Sequence, residues 1–113
     1  MSTLAEAAEQ FRAAYHAREE LVAEQADWNR TLALVANDTG DSVALQIVEG
    51  RIAGCSKGTT GDIVITSDAR TLCEILELRQ GPNTPYLFGE LTVRGPEADF
   101  IRLDYVTSRL CPE

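Results

Sequence analysis

Few residues of this chain have side chains suited to chemistry, and their spacing keeps them apart. His16 is the sole histidine and stands between Tyr15 and Ala17 with no Ser or Cys nucleophile beside it. A hydrolytic triad is a constellation, and one member does not make one, so His16 reads as a surface or internally satisfied histidine. Asp104 and Tyr105 are adjacent and could offer a carboxylate and a phenol for acid–base work in an apolar pocket, where burial would raise the carboxylate's pKa. The plainer reading is the edge of a helix. Ser56 to Gly61 holds glycines and one lysine, but it lacks the Gly-Lys-Ser/Thr ending of a phosphate cradle. It also leads into a strand instead of opening a helix, and so reads as a mobile connection. Cys55, Cys73 and Cys111 are odd in number and include no CxxC. Neither a disulfide framework nor a zinc site follows, and three reduced thiols are expected, with Cys73 in the core. The carboxylates are plentiful but scattered along helix faces. No catalytic residue, metal site or cofactor is therefore assigned. Trp28 has a ring able to stack on a ligand, yet a lone tryptophan opening a strand more often anchors a core or hairpin.

The elements that must position these groups follow from periodicity. Leu4, Ala7/Ala8, Phe11, Ala14/Tyr15 and Leu21/Val22 recur at helical steps, which predicts one amphipathic helix over 1–25, capped by Ser2 or Thr3. A first strand runs from Trp28 through Thr31 to Val35, and Asn37 to Asp41 turns it. Ser42 to Val48 is a second, with Val43, Leu45 and Ile47 on one face, and Glu49-Gly50 turns it into Arg51 to Cys55 as a hairpin. Asp62 to Thr66 forms a fourth strand. Ser67 or Asp68 then caps a helix that turns Leu72, Ile75 and Leu76 inward and stops at Gly81-Pro82. Leu87, Gly89, Leu91 and Val93 share the face of a fifth strand. Gly95-Pro96 starts a last helix whose apolar stripe is Phe100, Leu103, Val106/Thr107 and Leu110. Strands clustered ahead of helices predict an α+β domain, its helices laid on one face of a mostly antiparallel sheet. A single domain over 1–113 is the simplest account.

Composition bounds the rest. The chain has 113 residues, long enough to bury a sizeable core, and no apolar run of transmembrane length, so stable membrane insertion is not expected. The N-terminus mixes charges with small apolar residues where a signal peptide needs a basic start and a continuous apolar block. A cytoplasmic location is expected. The net charge of −8, with a single lysine and dispersed arginines, disfavours nucleic acid and anionic membrane surfaces as partners.

The order Asp62-Ile63-Val64-Ile65-Thr66, a helix with Leu72 and Ile75-Leu76, Gly81-Pro82-Asn83, then Phe88-Gly89-Glu90-Leu91-Thr92-Val93-Arg94-Gly95 and Leu103 resembles the sterol carrier protein type-2 family. The resemblance covers roughly Trp28 to Leu110. It implies a five-stranded sheet covered by helices and an apolar tunnel for fatty acids, acyl-CoAs, sterols or related lipids. Position by position, Gly89, Leu91, Val93 and Gly95 match the family's strand, Phe88 matches the aromatic before it, and Ile75, Leu76 and Leu103 match apolar helix positions near the ligand. Glu90 stands where the family usually carries lysine, and Arg102-Leu103-Asp104 replaces a more apolar and basic mixture. The expected attraction to anionic headgroups is weakened accordingly. The ending Cys111-Pro112-Glu113 is not of the peroxisomal Ser-Lys-Leu type, in line with a bacterial-style cytosolic carrier.

The expected function is therefore non-catalytic binding or transfer of a hydrophobic molecule. Its candidate ligand-binding residues are Ile75, Leu76, Phe88, Leu91, Val93, Phe100, Leu103, Val106 and Leu110. Two alternatives stand beside it. One is a small-pocket isomerase or cyclase using Asp104 and Tyr105. The other is an interaction subunit of a larger enzyme, or a homodimer, formed through the N-terminal helix.

Overall fold

The structure is a computed structural model and describes residues 3–111. Thr3 opens the first helix, α1 (Leu4–His16), through a capping box: its Oγ1 accepts the Glu6 N–H at 3.1 Å while Glu6 Oε1 accepts the Thr3 N–H at 3.0 Å. Leu4, Ala7, Ala8, Phe11 and Tyr15 form its buried face. The single helix expected over 1–25 is in fact two, because the chain leaves helical geometry at Arg18 (φ −104°, ψ 78°) before α2 (Glu19–Glu24). Side-chain anchors flank the break. The Tyr15 hydroxyl donates to the Gly50 carbonyl, His16 Nε2 accepts the Ile52 N–H at 3.0 Å, and Arg18 donates to the Arg109 carbonyl at 3.2 Å.

The strands are β1 (Arg30–Ala36), β2 (Ser42–Val48), β3 (Arg51–Ser56), β4 (Ile63–Ser67) and β5 (Thr92–Arg94), ordered β3-β2-β1-β4-β5. Three of the four pairings are antiparallel and one, β1 with β4, is parallel. Register aligns the large aliphatics. Leu32 faces Leu45 and Ile63 across its two neighbours, and Leu34 faces Val43 and Ile65. Because side chains alternate with period two, these residues share one face, which joins the helices in a continuous core. The other face carries smaller or polar groups such as Ala33, Ala44 and Gln46, and Gly58 of the β3–β4 connection lies over Ala44.

After β4, Asp68 caps α3 (Ala69–Leu76), accepting the Thr71 N–H at 2.8 Å. This helix stops short of the expected Gly81-Pro82 boundary. Leu78 adopts φ 63°, a conformation that costs a side-chain-bearing residue about 1 kcal/mol, and packs against the core. The stretch read as the start of the fifth strand also differs, for Asn83–Leu87 is a short helix, α4. Pro85 lies in its first turn, where a missing N–H costs nothing, and Gly89 follows its C-cap at φ 76°. Only Thr92–Arg94 pairs with β4. Gly95, at φ 128°, then brings the chain so close to β4 that a Cβ would stand 2.5 Å from the Asp62 carbonyl oxygen. The final helix, α5 (Glu97–Leu110), begins directly after Pro96.

Candidate functional site

The strongest sequence signal lies where α3, α5 and the β5 strap cover the apolar face of the sheet. Ile75 and Leu76 come from α3, Leu91 from the turn before β5, and Phe100, Leu103 and Val106 from α5. All six are buried in one core with Leu32, Leu34, Ile63 and Ile65. Val93 and Leu110 are partly buried against the same core. Phe88 lies apart from them on the surface, 78% exposed at the end of α4.

Different forces hold the covering helices. α1 and α3 approach the sheet closely, whereas the backbone of α5 makes few close approaches to any other element. Its attachment is through side chains. Phe100, Leu103 and Val106 pack inward, and polar groups on its other sides grip α2 and the segment before β1. Asp99, buried on α5, accepts Trp28 Nε1–H at 2.9 Å and Arg30 Nε–H at 3.1 Å. Arg102 donates twice to Asp27, at 2.9 and 3.3 Å, and its guanidinium carbon stands 5.5 Å from the centre of the Trp28 ring. This donation holds the Asp27 carboxyl below its ordinary pKa. Farther along, Tyr105 donates to Glu24 at 2.7 Å and accepts from Arg109.

The other candidate chemical groups are engaged structurally. Trp28 is buried and anchors α5, as a core tryptophan would. His16 Nε2 is an acceptor for the β3 backbone; burial, followed by the charges of Arg12 and Arg51, lowers its pKa. Asp104 and Tyr105, being consecutive on a helix, diverge by about 100°. Asp104 lines a cleft with Tyr86 and Phe100, whereas the Tyr105 hydroxyl turns to Glu24. They do not meet over a common pocket. Cys55, Cys73 and Cys111 are all half-buried, and burial raises each thiol pKa, which keeps them protonated at neutral pH. Among the described residues no cluster of His, Cys, Asp or Glu could hold a metal ion, and no helix is long and apolar enough to cross a membrane.

No family model matches the sequence, and no curated protein does. Solved structures do. The palmitated SCP2L2 of Aedes aegypti superposes with a TM-score of 0.72 at 11% identity, covering 99% of this chain and 100% of that one. The chain has the sterol carrier protein 2 fold. A crystal structure of sterol carrier protein 2 agrees, with a TM-score of 0.67 at 21% identity over 93% of this chain and 95% of that one. So does the apo form of sterol carrier protein 2 from Yarrowia lipolytica, with a TM-score of 0.63 at 16% identity over 93% and 89%.

Within the sterol carrier fold, two features of this chain escaped the sequence reading. One is the role of Asp99. Its spacing to Leu103 and Val106, four and seven residues on, places it on the apolar stripe, where a carboxylate must find buried donors. The other is α4 and its surface. Tyr86, Leu87 and Phe88 follow Pro85 and precede Gly89, which is helix punctuation and not strand punctuation.

Proposed function

We propose that this protein binds a hydrophobic molecule, such as a fatty acid, an acyl-CoA or a sterol, without chemical conversion, and holds it between the sheet and α5. The supporting observation is that 99% of the chain superposes on a palmitated protein, and that Ile75, Leu76, Leu91, Phe100, Leu103 and Val106 meet the sheet in one apolar cluster. Ile75, Leu76, Leu91, Phe100, Leu103 and Val106 would then contact the ligand, with Val93 and Leu110 at its margins and Phe88 at the surface rim. Each buried methylene contributes about 0.8 kcal/mol, so a tail of about ten carbons supports micromolar affinity after association costs.

The test is direct. Native mass spectrometry of purified protein should release a co-purified lipid, and added carbon-13-labelled palmitate should show NMR contacts with methyl groups of Ile75, Leu76, Leu91, Leu103 and Val106. A protein that carries no lipid and shows no such contacts refutes the reading.

A further inference from the structure

The clearest unexplained surface lies at the junction of α4 and α5. Tyr86 and Ile101, 46 and 59% exposed, line one cleft there, and Leu87 and Phe88, 72 and 78% exposed, follow Tyr86 at the end of α4; exposed large apolar side chains beside a cleft mark an interaction site. At its base the Tyr86 ring packs on Phe100 with centroids 4.9 Å apart. Beside it opens a cleft of about 130 Å³, lined by Asn83, Tyr86, Glu97, Phe100, Ile101 and Asp104. At about 30 Å³ per water, that is room for roughly four waters or one inserted side chain.

The charges around the cleft narrow the choice of occupant. Glu97 and Asp104 both line it, and they lie about two helical turns, roughly 10 Å, apart on α5 with Ile101 between them. Among the described residues neither carboxylate has a cationic partner, although Asp99 on the same helix is paired with Arg30. Arg102, next to Ile101, is already engaged by Asp27. The surface is thus apolar at its centre, with unpaired negative charge at both ends of the cleft. A second copy of the chain fits it poorly, because a two-fold contact would set these carboxylates against themselves in a protein of net charge −8. A lipid surface fits poorly as well, since interfacial elements carry basic flanks beside their apolar residues.

We infer that the α4–α5 surface is a docking site for another protein, which presents a short amphipathic segment with an apolar anchor flanked by lysine or arginine. The anchor fills the cleft against Tyr86, Phe100 and Ile101, and the flanking cations pair with Glu97 and Asp104. The site shares Phe100 with the proposed ligand layer, but its occupant approaches from the outer surface of α4 and α5.

The test uses the full chain and a fluorescein-labelled amphipathic Lys/Leu peptide, with a Glu/Leu peptide of equal length as the control. The Lys/Leu peptide should bind, and the Glu/Leu peptide should not. Affinity for the former should fall about tenfold in a Leu87→Ser/Ile101→Ser variant and about tenfold in Glu97→Gln/Asp104→Asn. It should be unchanged in Glu9→Gln/Glu20→Gln, which removes two distant charges and reads out non-specific attraction to the acidic protein. Equal losses in the distant pair and the α5 pair overturn the inference. So does a concentration-dependent dimer, or flotation with phosphatidylcholine vesicles, that Leu87→Ser/Ile101→Ser abolishes. All the substituted side chains lie at the surface or cleft, and circular dichroism verifies that each variant is folded.

Discussion

Asp99 is a buried carboxylate whose two partners come from a segment some seventy residues earlier in the chain, and it joins the last helix to the start of the first strand. Removing it strands the Trp28 indole N–H, whereas Arg30, half-exposed, can turn to water. Asp99→Ala should therefore lower the unfolding free energy by about 2 kcal/mol in urea titration, and Asp99→Asn, which keeps an acceptor, should cost less. His16 makes a different prediction. Its pKa is lowered in the fold by burial, with Arg12 and Arg51 adding to the effect, and its neutral Nε2 accepts the Ile52 N–H. The unfolded chain binds this proton more readily than the folded one, so the His16 contribution is complete above the ordinary value of 6.5 and is lost as pH falls through the lower folded value. Chemical unfolding measured from about pH 7 to 5 should show a stability loss that is reduced in His16→Gln, since the amide cannot titrate. A slope unchanged by this substitution would assign the loss to other groups.

At the level of elements, two glycines illustrate how position decides cost. Gly89 and Gly95 both have positive φ, at 76° and 128°, and both flank the strap that carries β5. Nothing lies within 4 Å of a Cβ built on Gly89, whereas one on Gly95 would stand 2.5 Å from the Asp62 carbonyl oxygen and 2.9 Å from Ile63 Cα. Gly89→Ala should cost only the conformational penalty, about 1 kcal/mol. Gly95→Ala adds a backbone clash and should cost about 3 kcal/mol, loosening β5 and the start of α5. Comparable thermal midpoints for the two variants would contradict this. Most elements were legible from periodicity. The alternation of Val43, Leu45 and Ile47 and the spacing of Leu72, Ile75 and Leu76 placed strand and helix faces correctly, because each face is buried and burial enforces the period. The boundaries that moved, at Arg18, Leu78 and Asn83, lie where side chains such as Tyr15, His16 and Leu78 bond to or pack on distant parts of the chain.

Across the whole molecule, one buried sheet face is covered by helices, with the backbone of α5 set farther from its neighbours than that of α1. β1 is flanked on both sides, by β2 and β4, and its Leu32 and Leu34 are buried on the core face. The periphery is thinner, with β5 only three residues long and α4 only five. Native-state hydrogen exchange should accordingly be slowest in β1 and its neighbouring strands, and fastest in α4 and β5, with α5 opening more readily than α1. If α5 exchanges as slowly as β1, the cover does not move separately from the sheet, and access to the layer beneath it would need another route.

What the sequence determined by itself is the fold class of the protein. The apolar periods, the glycine and proline punctuation, and the sparse reactive groups are local or compositional signals, and they survive without knowledge of distant contacts. Only the tertiary structure decided that Asp99 is buried with Trp28 and Arg30, that Asp104 and Tyr105 diverge, and that Phe88 stands on the surface while Leu91 and Leu103 do not. Those outcomes depend on which helix meets which strand. A side chain's chemistry is set by the groups that approach it, and in this fold they come from far along the chain.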